Sequence, residues 1–503
     1  MLVSTYLNCS WRPITLLNND YKILTHIFSN RLKEGLPQII SDTQSGFMKG
    51  RSIHNNIRLV LDLVEYSDYI NDDGFILFLD FYKAFDMVEH PFIFKALELC
   101  GFGENFRKTI KCFYHDTTSS VSLLGGTSPR FTINRGIKQG CPISPSLFLI
   151  AAEMLSILIK NSEVEKLSVF NNEIVVSQLA DDTTLFLKNV EQVPKAIETI
   201  DLFSRASGLK LNLEKCELLA IHDCHLVAAC GIPVKSTVKY LGVHIAKDNK
   251  LSESLNIWSK MHECKSRLDR WLNKDLSLLG RIYITKMESL SRCIYPAYSL
   301  SISNKAIKNI NKVNFDYIWK RKSHYLKKAT LVKDYEDGGL QAIDFDCING
   351  TLKIKWLRSF LANNNSFWYS VSREVFRMFG GIDFVLRCDF SVQKLPVKLS
   401  LCCSQTLLYC TNIILHPMMF PYGIVDPSFP KTDLYFSVCG WRKICGSVTD
   451  LLDETGGVLP FDEFCVKYNF QRNHNQYDKV TKSLPTAFLQ VVKNTFPYMA
   501  APL

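Results

Sequence analysis

The sequence lacks the marks of several protein classes. Its 17 cysteines form no C-x-x-C pair and its 11 histidines are scattered, so neither a zinc knuckle nor a disulfide framework is supported. The best membrane candidate, SLFLIAAEMLSILI (146–159), is short and carries Glu153, whereas a span needs roughly 20 apolar residues. The N-terminus has no signal-peptide pattern. We expect no membrane partner and reduced, mostly buried thiols, which indicate a location in the nucleus and cytoplasm.

Length, composition and charge indicate a folded protein with a polyanionic partner. With 503 residues and 47% hydrophobic residues, the chain is long enough for several domains and well outside the disordered range. The net charge of +10 is unevenly placed, because residues 251–345 hold 17 Lys and Arg against 10 Asp and Glu. A basic excess this local favours binding to a polyanion such as nucleic acid.

The hydrophobic pattern changes along the chain. Up to residue 250, helical and strand-like patterns alternate: DYKILTHIFSNRLKEGLPQII predicts a helix stopped by Gly35 and Pro37, and TVKYLGVHI predicts a last short strand. From residue 251 the apolar spacing is helical. Residues 346–503 have no clear period and predict a mixed, mostly helical region. These changes divide the chain into residues 1–250, 251–345 and 346–503.

Three carboxylates interrupt apolar runs. Asp80 follows FILFL (75–79), while Asp181 and Asp182 lie within VVSQLADDTTLFLK (175–188). An unpaired buried charge costs several kcal/mol, so these residues are either a turn or solvated strand edge, or part of a site. Carboxylates converging from two strands suit Mg²⁺, and two such ions can assist phosphoryl transfer. Since adjacent strand residues point to opposite sides, we expect Asp80 and Asp181 to be the principal ligands and Asp182 to support them, unless the pair lies at a hairpin tip.

Seven ordered blocks resemble the reverse transcriptase of non-LTR retrotransposons of the long interspersed nuclear element type. The blocks are WRPITLLNNDYKIL, SGFMKGRSIHNNI, FLDFYKAFD, RGIKQGCPISPSLF, LADDTTLF, SGLKLNLEKCE and VKYLGVHI. The resemblance implies an α+β right-hand polymerase. Residues 1–250 would be fingers and a palm with an antiparallel sheet, residues 251–345 a helical, basic thumb, and residues 346–503 a C-terminal region of unknown role. It also implies an RNA-directed DNA polymerase that extends a DNA primer with dNTPs on an RNA template, using two Mg²⁺ ions or alternatively Mn²⁺.

The resemblance further assigns roles to residues of the predicted site. Asp80, Asp181 and Asp182 would be the catalytic metal ligands. Phe85 would pack under the sugar and exclude a 2′-hydroxyl, or would simply anchor its helix. Gln139 would contact the nucleotide and Gly140 the template–primer, because glycine permits close backbone approach.

Basic residues complete the implied site. Lys215 would approach the pyrophosphate leaving group, and Arg12 would reach the triphosphate, with Arg51 as an alternative. The stretch NKAIKNINKVNFDYIWKRKSHYLKK (304–328) has eight Lys and Arg, one acidic residue and four aromatics. Its cations, among them Lys320, Arg321 and Lys322, would bind template–primer phosphates, and its aromatics could stack on unpaired bases. The alternative is a solvated helix face with aromatics in the core.

The chain also departs from the family pattern. Full-length members carry an endonuclease before the polymerase and usually a Cys/His-rich segment after it. Here the chain begins almost at WRPI, so we expect an N-terminally truncated part of an element's second open reading frame. Three hypotheses remain: an active RNA-directed DNA polymerase, an inactive relic that binds nucleic acid non-specifically, and an RNA-dependent RNA polymerase, against which the aromatic ring of Phe85 argues. The oligomeric state is not predicted.

Overall fold

The computed structural model describes residues 12, 14–123, 125–170, 172–363, 365–378, 380–387, 392, 397–411 and 459–468. The chain separates into two compact units, residues 1–252 and 253–503. The assignment of fingers, palm and thumb, with limits at residues 250 and 345, stays a prediction. Among the described residues, no helix is both long and apolar enough to cross a membrane.

The first unit combines helices with short strands. Its helices are α1 Asn19–Ile39, α2 Ile53–Glu65, α3 Ala84–Met87, α4 His90–Leu99, α5 Glu104–Tyr114, α6 Ser144–Lys160 and α7 Gln192–Ser207. Its strands are β1 Phe75–Leu79, β2 Thr118–Ser119, β3 Ser122–Leu123, β4 Gly126–Thr127, β5 Phe131–Thr132, β6 Leu167–Val169, β7 Asn172–Ile174, β8 Val176–Leu179, β9 Asp182–Leu187, β10 Glu217–Ala220, β11 Ala228–Ala229, β12 Ile232–Lys235, β13 Thr237–Tyr240 and β14 Val243–Ala246.

A six-stranded sheet forms the centre of this unit, in the order β11-β12-β10-β1-β9-β8. Strand β1 is antiparallel to both of its neighbours, β9 and β10. The continuous apolar run of β1 fits burial on both faces. Leu77 belongs to the core that includes residues of α6 and α7, while the ring of Phe78 lies 4.9 Å from that of Tyr240 in β13. Strand β1 is thus held by a neighbouring strand along each edge and by packing on each face. The position of the next residue, Asp80, is therefore tightly constrained.

Two elements differ from the sequence-based expectation. Helix α1 does not stop at Gly35 or Pro37 but continues to Ile39. A proline in the last turn removes one helical hydrogen bond, and the buried Leu36 holds that turn against the core. The stretch TVKYLGVHI forms the hairpin β13–β14 and not a single strand. Its two-residue turn, Leu241-Gly242, has positive φ at both positions, +45° and +80°, as tight hairpins require.

The second unit is helical in its described part, as the apolar spacing predicts. Its helices are α8 Asn249–Glu253, which crosses the unit boundary, α9 Ser259–Leu272, α10 Leu278–Ile284, α11 Ser291–Ser299, α12 Asn304–Ile318, α13 Lys328–Val332, α14 Phe345–Ala362, α15 Ser370–Arg377, α16 Ile382–Arg387, α17 Leu401–Thr411 and α18 Phe461–Tyr468. Wide π-helical turns at Ser254–Trp258 and Thr285–Leu290 join α8 to α9 and α10 to α11. Within the predicted region 346–503, residues 412–458 and 469–503 lie outside the described residues.

Candidate active site

Two strand ends bring the three carboxylates together. In the β1–β9 register Leu79 pairs with Thr183, so the next antiparallel positions are Asp80 and Asp182. In the β8–β9 register Leu179 pairs with Asp182, which leaves Ala180 and Asp181 as a two-residue turn. Asp181 and Asp182 therefore lie at a hairpin tip, where strand alternation does not separate them. The ranking of Asp181 above Asp182 as a metal ligand stays a prediction.

Asp80 and Asp182 line one pocket of about 400 Å³. Asp181 is not among its lining residues. The wall also includes residues from β9, from the segment before and at the start of β10, and from the β13–β14 hairpin: Thr183, Thr184, Glu214, Lys215, Glu217, Val238, Lys239, Tyr240 and Leu241. The pocket is thus bounded by the central sheet on one side and by a separate hairpin on the other.

The surroundings of the hairpin tip raise the pKa values of Asp181 and Asp182. Loss of hydration, followed by repulsion from Asp181 and Asp80, raises the pKa of Asp182 from its ordinary value of 3.8 to about 6. The pKa of Asp181 is also raised, mainly by loss of hydration and further by Asp80. The positive charge of Arg12 lowers both pKa values but does not return them to the ordinary value of 3.8. At the hairpin tip, loss of hydration and the smaller repulsion between carboxylates together outweigh the attraction of Arg12.

Asp80 has two polar neighbours from one short segment. The Nδ2 group of Asn212 donates to Oδ2 of Asp80 at 3.1 Å, and its backbone N–H donates to the Asp80 carbonyl at 2.8 Å. The Nζ of Lys215 lies 4.0 Å from the same Oδ2 atom, and its side chain is 69% exposed. Lys215, predicted to approach the leaving group, is thus beside Asp80 and open to solvent.

The donor set has the chemistry of a divalent-cation site. Among the described residues, no three His, Cys, Asp or Glu side chains converge in an arrangement that could hold a metal ion as they stand. Asp80, Asp181 and Asp182 nevertheless offer oxygen ligands, which Mg²⁺ prefers. Loss of hydration and repulsion between carboxylates disfavour the charged forms of Asp181 and Asp182, and a bound cation would stabilise those charged forms. The oxygen chemistry of these residues therefore suits such an ion, and their role as its ligands stays a prediction.

Phe85 rests on the core beside the loop that carries Gln139. Its half-buried ring stacks on Phe148 of α6, with centroids 4.1 Å apart and planes at 13°. The Nε2 group of Gln139 donates to Oδ1 of Asp86 at 2.8 Å, and the N–H of Ile137 donates to the Phe85 carbonyl at 2.8 Å. These bonds tie the predicted nucleotide-contacting residues into one rigid group.

Gly140 takes a conformation that favours glycine. Its φ is +109°, and a Cβ atom there would lie 3.0 Å from the carbonyl oxygen of Thr15. The N–H of Thr15 in turn donates to the Gln139 carbonyl at 2.8 Å. In this structure the close approach at Gly140 is to backbone from the start of the chain, and its contact with template–primer stays a prediction.

The two candidate arginines occupy different surroundings. Arg12 is exposed, and its charge acts on Asp181 and Asp182. Arg51 donates from Nη1 to the carbonyl oxygens of Ser41 and Gln44, both at 2.6 Å. The guanidinium of Arg51 is thus engaged in holding a loop, and only Arg12 is electrostatically coupled to the carboxylates.

Comparison with known proteins indicates the family to which this part of the chain is similar. Residues 8–245 match the family described as reverse transcriptase (RNA-dependent DNA polymerase). The chain carries a reverse transcriptase domain. That domain contains all of the strands described above apart from the last residue of β14, and it confirms the α+β polymerase fold expected from the resemblance. Reverse transcriptases in general use divalent metal ions and bind nucleic-acid templates.

The relatives of this reverse transcriptase domain come from non-LTR retrotransposons, as the resemblance implies. The chain is 27% identical over 379 residues to the Transposon TX1 uncharacterized 149 kDa protein of Xenopus laevis, covering 73% of this chain and 29% of that protein. It is 27% identical to the Pol polyprotein from the type-1 element R2 of Popillia japonica, covering 46% and 32%. It is 26% identical to the RNA-directed DNA polymerase from mobile element jockey of Drosophila melanogaster, covering 60% and 34%. The chain thus spans about a third of these relatives' lengths.

A solved structure, apo telomerase from Candida tropicalis, aligns with 69% of this chain and 61% of its own at 12% identity. The TM-score is 0.37, which is too low to support an inference.

Several positions in the reverse transcriptase domain were missed by sequence reasoning. Gln44 is fully buried and hydrogen-bonds to Ala180, beside Asp181. Asn212 binds Asp80, and Tyr240 lines the pocket. Gln44 immediately precedes the block SGFMKGRSIHNNI, and the other two lie within recognised blocks, yet no local pattern reports contacts between positions more than 130 residues apart.

In the second unit, the basic stretch 304–328 differs from the base-stacking expectation. Phe315, Tyr317 and Trp319 are buried, and only Tyr325 of the four aromatics is exposed. The stacking hypothesis is therefore wrong for three of them, because they lie on the buried face of α12 and on the turn after it.

The cations of the same stretch face solvent to different extents. Lys320 pairs with Asp275 at 3.5 Å, and Arg321 pairs with Asp269. Lys322 is exposed. Their assignment to template–primer phosphates stays a prediction, and it rests on charge alone.

Proposed function

We propose that this chain is an RNA-directed DNA polymerase of a non-LTR retrotransposon. The observation that carries the proposal is the meeting of Asp80, Asp181 and Asp182 at two strand ends, with a pKa of about 6 at Asp182. Negative charge from Asp80 and Asp182 at the pocket, and from Asp181 at the adjoining turn, is what a polymerase needs to bind divalent cations, which would in turn hold the triphosphate. The reverse transcriptase family match supports the same reaction.

In the proposed reaction a primer 3′-hydroxyl oxygen attacks the α-phosphorus of a dNTP, its proton passes to solvent, and the bond between the α-phosphorus and pyrophosphate breaks. Asp80, Asp181 and Asp182 would hold two Mg²⁺ ions, or Mn²⁺ in their place, and such ions would supply positive charge that stabilises a phosphoryl transfer. Arg12 would bind the triphosphate, since its charge already reaches the carboxylates. Lys215 would donate a proton to the departing pyrophosphate, which its exposed Nζ can approach.

Selection of the sugar and template would come from the group around Phe85. The ring of Phe85 is backed by Phe148, so it would not yield to a ribose 2′-hydroxyl. Gln139, fixed to Asp86, would lie against the nascent base pair, with the RNA template and DNA primer passing Gly140. The support for this proposal is geometric, because the Gln139 side chain and the Phe85 backbone are hydrogen-bonded to neighbouring residues and the Phe85 ring stacks on Phe148.

The exposed cations of residues 304–328 would hold the template–primer phosphates. We also propose a nuclear and cytoplasmic location, supported by the burial of several described cysteines, among them Cys141, Cys216 and Cys264, as expected for thiols that pack as small apolar side chains.

A primer-extension assay tests the proposal. Purified full chain is given an RNA template annealed to a DNA primer, Mg²⁺ and either dNTPs or rNTPs. Asp181→Asn is the inactive comparison, and Asp201→Asn, an exposed α7 carboxylate paired with Arg205, is the matched control. We expect dNTP incorporation by the wild type and by Asp201→Asn only. Wild-type dNTP incorporation no greater than that of Asp181→Asn would refute the proposal. Salt-sensitive binding of the template–primer without synthesis would favour the inactive relic. Preference for rNTPs would favour an RNA polymerase.

A further inference from the structure

The turn that carries Asp181 has a conformation that its own sequence does not favour. Ala180, the first residue of the two-residue turn, has a φ of +54°. The left-handed region costs a residue with a Cβ roughly 1 kcal/mol or more. Neither Ala180 nor Asp181 is glycine, so something outside the hairpin must stabilise the turn.

Gln44 supplies that stabilisation. Its side chain is fully buried, and its Oε1 accepts hydrogen bonds from the N–H groups of Ala180 and Gly46, both at 2.8 Å. Because both of these neighbours are donors, the oxygen of the amide must face them. The Nε2 group makes a longer contact, 3.4 Å, with the Ala180 carbonyl oxygen. The Gln44 side chain thus contacts both the N–H and the carbonyl oxygen of Ala180.

The loop around Gln44 is itself fixed. It runs alongside β8, where the N–H of Gln178 donates to the Thr43 carbonyl at 2.8 Å and the N–H of Ser45 donates to the Gln178 carbonyl at 2.9 Å. Arg51 holds the carbonyl oxygens of this loop from its other side. Gln44 therefore reaches the turn from a rigid base.

The loop around Gln44 is also in direct contact with the turn at Ala180 and Asp181. A Cβ atom on Gly46 would lie 2.5 Å from the Ala180 nitrogen, so the two segments are in backbone contact. Any shift of the loop would displace Ala180, and with it the neighbouring carboxylate of Asp181.

We propose that Gln44 is a positioning residue of the catalytic site. It holds Ala180 in the left-handed conformation and so sets the directions in which Asp181 and Asp182 present their carboxylates toward Asp80. The inference rests on the proposed function, since it assigns these carboxylates to cation binding.

The test compares two buried glutamines. Gln44→Met keeps the length of the side chain and removes its hydrogen bonds. Gln192→Met is the matched control, because Gln192 is equally buried and bonds to Glu165 and Asn189, which are not part of the turn. For each full-chain variant, Mn²⁺ binding is titrated by electron paramagnetic resonance, thermal unfolding is followed, and kcat and KM for dNTP are measured.

We expect both variants to lower Tm, but only Gln44→Met to weaken Mn²⁺ binding, by on the order of 10-fold, as for other residues that orient metal ligands. Its kcat should fall as well. Adding Ala180→Gly to Gln44→Met should recover part of the Mn²⁺ affinity, since glycine adopts positive φ at little cost. A role confined to stability predicts no such rescue.

Several outcomes overturn the inference. One is Mn²⁺ affinity in Gln44→Met within two-fold of the wild type; another is an equal loss in Gln192→Met; a third is a wild type that binds no Mn²⁺. If Gln44→Met does not fold, the comparison is made in the Ala180→Gly background, and failure to fold there also counts against a positioning role. A wild type that binds Mn²⁺ but incorporates no dNTP would refute the polymerase proposal alone.

Discussion

Replacing Asp182 by asparagine should make the protein more stable at neutral pH. Loss of hydration and repulsion from Asp181 and Asp80 raise the pKa of Asp182 from 3.8 to about 6. The charged form of Asp182 therefore destabilises the folded protein. An asparagine side chain has nearly the same shape without the charge. The change therefore removes an electrostatic cost that the wild type bears in its folded state.

The size of the effect follows from the pKa. One pKa unit corresponds to about 1.4 kcal/mol, so a fully buried group with this change would cost ~3 kcal/mol. Asp182 keeps part of its surface in solvent at the hairpin tip although its carboxylate is partly desolvated. Solvent screens charge interactions at such a position, and we therefore expect about 1 kcal/mol. For a unit of this size that corresponds to a rise in Tm of about 2–4 °C.

The effect should depend on pH in one direction. Because the pKa of Asp182 is higher in the folded state, protonation of Asp182 stabilises the folded wild type. This stabilisation is lost as the pH rises from 3.8 through about 6. Asp182→Asn should thus exceed the wild type in Tm at pH 7.5 and approach it as the pH falls to 4.

Scanning calorimetry of the full chain at several pH values measures this difference. Asp73→Asn, at an exposed aspartate in the loop before β1, is the control, and it should shift Tm little at any pH. The reasoning is refuted if Asp182→Asn is less stable than the wild type at pH 7.5, or if its advantage does not shrink toward pH 4.

Three further predictions concern other parts of the chain. Phe85→Ala should raise rNTP incorporation relative to dNTP by on the order of 10- to 100-fold in primer extension, whereas Phe85→Tyr, which keeps the ring, should not. Gly136→Ala should cost ~3 kcal/mol or more in urea unfolding, because φ is +84° and the new Cβ would lie 2.6 Å from the Asp86 carbonyl oxygen; Gly231→Ala, at φ +78° in open space, should cost only ~1 kcal/mol. Lys322→Ala should lower the salt dependence of template–primer binding by about one phosphate contact, and equal slopes for variant and wild type would rule out that contact.

The central site could be predicted from the sequence because its signals are local. A carboxylate at the end of FILFL and two more within an apolar run are anomalies that burial alone makes costly, and the order of blocks around them matches the reverse transcriptase family. The register that sets Asp80 opposite Asp182 follows from antiparallel pairing of those same runs.

Other features depend on distant contacts or on competing local signals. Gln44 and Ala180 meet only in the folded chain, so no window of sequence contains their interaction. The local sequence predicts that Pro37 ends α1, but packing of Leu36 outweighs one lost hydrogen bond. The aromatic rings in and just after α12 suggest stacking on nucleic-acid bases. Phe315, Ile318 and Trp319, however, follow the spacing of a buried helix face, and all three are buried.

The stacking of Phe85 on Phe148 has a consequence for how substrate choice could change. Phe148 is 1% exposed and cannot reach a nucleotide, yet it supports the ring of Phe85, which we propose to select the sugar. A smaller residue at this position would let that ring sink and widen the space beside the sugar. Discrimination between sugars could therefore drift through substitutions in the hydrophobic core, with every residue that faces the substrate left unchanged.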